Sequence, residues 1–362
     1  MGKWGVLILG IGLAWGNIVV VGSYGKGENR DGLVIKLDNN GKKVWGKVID
    51  TGGIEVLRCG VKTETGYLLG GSRTDPAGVQ RGWLVGITKS GKTLWNMEVP
   101  GVKQFTQIVP AKDGNFIATA QGEGGDALLI KMDKLGRQLW RRKLGIYHNT
   151  SPLGIIPLGG AGYLIVGQKL YIKHFHKGLI IKTDDHGHKL WGIEVGGNGN
   201  ILLHSGVELP NGEIAVVGEV RLPSGYWGGV ILKLAPDGTQ KWIRFFHSGK
   251  RSRFTGVTIG NGEIVAVGDS TGWGRGKGDG IAVGYSFTGN QLWLKSFGTS
   301  SPEKVENYLS NGEEGVAIGE SSFPTGKGWV VSLSSNFTPQ WSYTTPFQAD
   351  LFGGIVEENF TK

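Results

Sequence analysis

The sequence predicts an all-β fold, a seven-bladed β-propeller of four-stranded antiparallel blades whose ring is closed by pairing of the chain ends. Three observations carry this. A tryptophan recurs at intervals of about 50 residues, at Trp45, Trp95, Trp140, Trp191, Trp242, Trp293 and Trp341, which is the period of a propeller or other repeat array. Glycine, 66 of 362 residues, returns at fixed places in that repeat, as tight turns between short strands require. Helical periodicity is absent throughout.

Each repeat resolves into four strands. The first precedes a turn, as in Glu55–Val61, Phe105–Ala111, Leu202–Glu208 and Phe254–Ile259. The turns that follow, Asp113-Gly114, Asn211-Gly212, Asn261-Gly262 and Asn311-Gly312, are preferred type I′ hairpin pairs. The second strand is a short apolar run ending in glycine, such as IVVVG at Gly22 and IAVVG at Gly218, a pattern expected of strands covered on both faces. The third is GLVIKL or a relative of it. The fourth carries the tryptophan, with a glycine four residues before it in six copies and Phe337 in the seventh. Packing between blades accounts for the tryptophans more simply than ligand contact does.

The N-terminal stretch MGKWGVLILGIGLAWG has two readings, a secretory signal cleaved after Gly16 or a strand. Counting favours the signal. Seven second, third and fourth strands stand against eight candidate first strands, because DLFGGIVEENF near the C-terminus is also one. Removing residues 1–16 leaves a single domain, residues 17–362, in which Asp350–Phe360 completes the blade begun at Asn17. The chain is then exported, a secreted or cell-surface monomer. No other stretch approaches the apolar length of a membrane helix.

The formal charge is +9, which permits an anionic partner without naming one. The one cysteine, Cys59, excludes an internal disulfide and a cysteine-based zinc site, and its place in a strand marks it as a small buried hydrophobe.

The segments KLDNNGKKVW, KMDKLGRQLW and KTDDHGHKLW resemble the repeat of the tryptophan-motif, quinoprotein-like propellers, over all seven repeats and most closely in the uncharacterised secreted bacterial and archaeal group. Lys36, Lys131, Lys182 and Lys233 hold the lysine of that pattern, and Asp38, Asp133 and Asp184 the aspartate after it. Thr88, Ala235, Ser286 and Ser334 depart from it. For the quinoprotein alcohol dehydrogenases the resemblance implies a quinone, a bound calcium and commonly a vicinal disulfide. A single cysteine rules out the disulfide, and no acidic cluster stands out in the sequence to hold calcium. The expectation is therefore no cofactor and no metal.

Four histidines crowd the fourth repeat. His174 and His176 flank Phe175 on one side of the third strand, and His186 and His188 lie on the other, so a strand separates the pairs and neither has a third ligand nearby. No phosphate loop, nucleophile elbow or zinc-protease motif occurs. The loops between strands two and three of repeats 4 to 6, with the connection HSGKRSRF, interleave cations with aromatics. Lys173, Arg221, Arg251, Arg253 and Arg275 would meet a polyanion there, Trp227 and Trp273 would stack, and His174 and His176 would line the same face. Only Glu219, Asp269 and Asp279 oppose these cations in the sequence; a solvated rim is the plainer explanation. The sequence thus predicts a non-catalytic binding or scaffold module, with an acidic glycan as ligand before single-stranded nucleic acid and a protein partner left open. The competing class is a polysaccharide-acting enzyme (hydrolase or lyase) with carboxylates meeting at the central funnel.

Overall fold

A computed structural model describes residues 15–145, 150–171, 175–196, 200–274, 277–311, 314–322 and 326–358. Among these residues the regular structure is all strand. The first strands are β1 (Trp15–Lys26), β2 (Asn29–Leu37) and β3 (Lys43–Ile49). Five four-stranded antiparallel sheets follow. They are β4 to β7 (Ile54–Lys62, Gly66–Thr74, Gln80–Thr88, Thr93–Val99), β8 to β11 (Val102–Pro110, Phe116–Gly122, Ala127–Met132, Gln138–Lys143) and β12 to β15 (Thr150–Pro157, Tyr163–Tyr171, Phe175–Thr183, Lys189–Val195). Next come β16 to β19 (Ile201–Glu208, Ile214–Arg221, Trp227–Leu234, Gln240–Phe246) and β20 to β23 (Ser252–Gly260, Glu263–Ser270, Asp279–Tyr285, Gln291–Phe297). The last strands are β24 (Glu303–Ser310), β25 (Gly315–Ser321), β26 (Lys327–Leu333) and the long β27 (Pro339–Glu358).

β27 serves two neighbours. Its first part pairs with β26, Trp341 opposite Ser332, and its last part pairs with β1, Val356 opposite Ile18 and Ala349 opposite Tyr24. The two ends of the described chain therefore share one seven-stranded sheet, ordered β24-β25-β26-β27-β1-β2-β3. β1 begins at Trp15, so residues 15 and 16 of the expected leader stand at the head of this strand, and residues 1–14 lie outside the described residues.

The apolar core lies between sheets. Val19, Val21 and Val34 meet Leu57, Tyr67, Leu69 and Trp83 of the following sheet. The same arrangement links each sheet to the next along the chain, and Val316, Ile318 and Val330 pack on Ile18, Val20 and Leu33. The second-strand runs are buried on both faces, as their apolar composition requires: Val19, Val20 and Val21 are wholly inaccessible. Each such side chain stabilises the stack by about 1.5–3 kcal/mol.

The tryptophans close these contacts from the outside. Trp45 lies on the turn glycine of the next sheet, Gly91, and its Nε1 donates to Lys89 O at 3.2 Å. Trp95, Trp140, Trp191 and Trp242 lie in the same way on Gly136, Gly187, Gly238 and Gly289, and the Nε1 groups of Trp191 and Trp242 donate to Pro236 O and Phe287 O. Trp293 meets Phe337 instead, with ring centroids 5.4 Å apart, and Trp341 covers Gly41. Aspartate at the start of these turns accepts backbone N–H bonds, as Asp38 does from Asn40 and Lys42. The departures Thr88, Ser286 and Ser334 accept through their hydroxyls, from Lys92, Asn290 and Thr338. A hydroxyl thus does the work of the carboxylate.

The hairpin expectation needs correction. Only Asn261-Gly262, with φ of 52° and 76°, fits the type I′ pair. At Asp113-Gly114 and Asn211-Gly212 only the glycine is left-handed. Gly114 donates to Ala111 O and Ala111 to Asn115 O, which is a type I turn followed by a glycine bulge. Asn311-Gly312 falls partly outside the described residues.

Candidate functional site

The innermost strands share one irregularity. In β4, β8, β12, β16, β20, β24 and β27 the register slips by one residue, at Arg58, Thr106, Leu153, His204, Thr255, Glu306 and Phe352. A bulge leaves its extra residue unpaired and re-aims it. All seven line a single cavity of about 230 Å³, together with Gln104, Gln107, Ser205 and Asn307. In six of the seven the slip falls beside a glycine of the second strand, and in β9 Ala120 stands at that place. A Cβ at Gly218 would overlap the carbonyl of Leu202, and Gly22, Gly71, Gly268 and Gly319 stand in the same relation to the strand beside them. That recurrent glycine is the signal from which the cavity residues could have been read; sequence reasoning missed them.

This cavity is polar and mostly uncharged. The Arg58 guanidinium stacks 4.8 Å over the Phe352 ring, and burial lowers its pKa against the opposing pull of Glu306. Cys59 faces the same space; burial pushes its thiol up to about 12, so it is no nucleophile. Among the described residues that line it, Glu306 is the one carboxylate.

Above the cavity runs a buried chain of ions. Arg253 donates to Asp269 at 2.8 Å and to the Val305 carbonyl at 2.8 Å, and lies 3.5 Å from Glu306. Burial alone would lower its pKa, but Asp269, Glu306 and Glu219 outweigh burial and raise it. Glu219 lies 3.4 Å from His204 Nε2 and 3.5 Å from Arg251. Burial acts to raise its carboxyl, yet His204, Arg253 and Arg251 bring it down to about 2. Beside this chain, Lys26, Arg30, Lys304, Glu320 and Asp350 edge a second opening, with Arg30 paired to Asp350 at 3.3 Å. Burial, then Asp350, raises the Glu320 carboxyl.

The residues expected on the loop face divide into four sets. Lys173, His174 and Arg275 lie outside the described residues. Arg221, Trp227, Arg251 and Trp273 are on that face: Arg221 sits opposite Trp227 in the β17–β18 hairpin with its guanidinium 5.9 Å over the indole, Arg251 is about half exposed, and Trp273 is exposed. His176 is half-buried, its backbone N–H donating to Asn200. Arg253 requires a correction, because it is buried and held by two carboxylates and a carbonyl, so no surface ligand reaches it. The charge balance is corrected too. Glu194, in β15, takes Lys169 at 2.7 Å and Lys177 at 3.6 Å, and Glu306 takes Arg253. Lys169 and Lys177 flank the loop of the fourth repeat, and both carboxylates lie in strands, where the loop sequences do not show them.

Folding also builds an acidic cluster that no stretch of sequence displays. Asp31, Asp50 and Glu55 bring carboxylate oxygens within 4.8 Å of one another. Burial, then Asp50, raises the Asp31 carboxyl.

Stacked four-stranded sheets, glycine turns capped by tryptophan and an inner row of bulges define a tryptophan-motif propeller. Residues 80–316 match the family described as outer membrane protein assembly factor BamB, and the chain belongs to that family. No curated protein matches the sequence. Among solved structures it is similar to lignostilbene dioxygenase of Pseudomonas brassicacearum, with TM-score 0.57 and 10% identity over 96% of this chain and 92% of that one. It is also similar to Sqt1 of Chaetomium thermophilum bound to the N-terminus of ribosomal protein L10, with TM-score 0.55 and 14% identity over 92% and 89%. A protein of unknown function from Bacteroides caccae gives TM-score 0.50 and 13% identity over 94% and 98%. At such identities the likeness concerns the fold alone. No helix among the described residues is long and apolar enough to cross a membrane.

Proposed function

We propose that the chain is an extracytoplasmic binding or scaffold propeller that takes an anionic polymer, an acidic glycan first, on the loop face of its fourth to sixth repeats. If β27 is counted as two strands, the seven-stranded sheet becomes two units of four, seven units in all, and the apolar packing between Val316 and Ile18 joins the last to the first. On this reading residues 1–16 are an export leader. The observation that carries the ligand is the pairing of exposed aromatics with exposed cations on one face. Tyr226 and Trp273 stand out to solvent beside Arg221, Lys250 and Arg251. Guanidinium groups neutralise charge while rings stack on sugars. An array of acidic and neutral oligosaccharides tests this. Binding restricted to acidic members, and weakened at least tenfold by Tyr226→Ala with Trp273→Ala, supports the reading; equal binding of neutral members refutes it.

A second reading, a polysaccharide-acting enzyme, draws on Glu320, whose carboxyl is raised by burial and then by Asp350 at the second opening. A carboxyl whose hold on its proton is strengthened by burial, close to a second carboxyl, is the kind of pair that general acid catalysis of glycoside cleavage uses. Release of reducing ends from acidic polysaccharide, abolished by Glu320→Gln, would select it.

A further inference from the structure

Three carboxylates, Asp31 of β2, Asp50 after β3 and Glu55 of β4, meet where the first sheet hands over to the next. Asp31 opens the buried part of β2 and lies across from Asp50, next to the paired Gly32 and Ile49. Like charges directly opposite on neighbouring strands destabilise a sheet. Glu55 reaches the same point from the following sheet. Its side chain is wholly buried; one oxygen, Oε1, accepts from the Thr51 hydroxyl at 2.5 Å, and the other, Oε2, has no hydrogen-bond partner. Arg73 pairs with Oε1 at 3.4 Å and directs its hydrogen-bond donors to Thr51 and Glu98. A buried polar atom left without a hydrogen bond is uncommon in folded proteins, and a bound ion is one thing that satisfies it.

We propose that Asp31, Asp50 and Glu55 hold a divalent cation, calcium, which ties the third and fourth strands of one sheet pair to the first strand of the next. Oxygens within 4.8 Å of one another fit ligands at 2.3–2.6 Å from a common ion. All donors are hard oxygens, which excludes a preference for soft metals. Asp50 is exposed, so water completes a flexible coordination shell, an arrangement calcium accepts more readily than magnesium.

The molecule contains its own comparison. At the β23–β24 junction Asp279 and Glu303 repeat Asp31 and Glu55, and the Thr299 hydroxyl donates to Glu303 as Thr51 does to Glu55. Gly298 stands where Asp50 would be, and a Cβ there would come within 2.5 Å of Glu303 Oε2 and 2.9 Å of Asp279 Oδ1. The third carboxylate is missing, so the chain should hold one ion rather than two.

Trp83 supplies a reporter, since its ring packs on Gly32, the neighbour of Asp31, 3.2 Å from where a Cβ would stand. The chelator-stripped protein is titrated with terbium, exciting tryptophan and reading terbium emission, and the ion is then displaced by calcium or magnesium. Saturable emission at one ion per chain, reversed by calcium at about 0.1–1 mM and at least tenfold less well by magnesium, is the expected result. Asp50→Asn, at an exposed position, should weaken binding at least tenfold. Asp31→Asn separates the ion from mere folding effects, because without metal it relieves repulsion and raises the unfolding midpoint, yet it removes the further rise that calcium gives the unmodified chain. Absence of any calcium effect at about 10 mM, well above the affinity range of extracellular modules, overturns the proposal, as does calcium binding that both substitutions leave unchanged.

Discussion

The indole of Trp341 lies directly over the α-carbon of Gly41, so that a Cβ at that position would overlap the ring. The two residues are separated by nearly the whole chain, and their contact repeats at the chain ends what Trp45 does to Gly91 between successive sheets. Gly41 is also left-handed, with φ of 77°. Gly41→Ala should therefore lose about 1–2 kcal/mol to backbone strain and about 1–3 kcal/mol more to overpacking. Gly52→Ala is the control, being left-handed at 81° with nothing within 4 Å. Urea unfolding of the pair checks this, and equal losses would show that the indole contact carries no weight.

Phe337 occupies the left-handed turn position that glycine holds in the other six repeats, at φ 57°, and is buried between Trp293 and Tyr308. Phe337→Gly should recover about 1–2 kcal/mol of strain but forfeit about 3–5 kcal/mol of aromatic packing. A net loss of about 1–4 kcal/mol in urea unfolding is expected; a more stable variant would contradict it.

Glu219 gives acid sensitivity a definite sign. Its carboxyl is held at about 2, below the ordinary 4.5, by His204, Arg253 and Arg251 acting against burial. A depressed carboxyl contributes stability that is present above the unfolded value and is lost as pH falls toward the folded one. The contribution, on the order of 3 kcal/mol, should thus drain away between about pH 4.5 and pH 2. Glu219→Gln should unfold more easily than the unmodified chain at pH 6 and converge with it near pH 2.

Glu320 should behave oppositely. Burial, then Asp350, raises its carboxyl, so the group favours the folded state at low pH and opposes it once ionised. Glu320→Gln should raise the thermal midpoint at neutral pH, with the gain vanishing below the ordinary carboxylate range. An unchanged midpoint at every pH would remove this burden from Glu320.

The strand pattern was legible because it is local. Apolar runs such as Val19–Val21, turn glycines and the tryptophans each report on a few neighbouring residues, and the pairing of Ile18 with Val356 followed from counting strands. The turn type at Asp113 was misread because dipeptide preference does not register the bulge that follows it. Site electrostatics were less legible. Glu194 and Glu306 neutralise cations from other strands, and Asp31, Asp50 and Glu55 meet only where one sheet hands over to the next. Arg253 reads as a loop cation, yet its strand carries it inward to Asp269. Such pairings depend on register between strands far apart in sequence.

The reading of the loop face as a polyanion site is tested most directly by measuring affinity for an acidic oligosaccharide at two salt concentrations, in the unmodified chain and in Arg221→Glu with Lys250→Glu. Both side chains are exposed, and Arg251, which helps hold Glu219, is left in place. Affinity that falls steeply with salt in the unmodified chain, and is abolished in the double variant while its unfolding midpoint holds, is the predicted result. Affinity that survives the double reversal, or no binding at low salt, contradicts it.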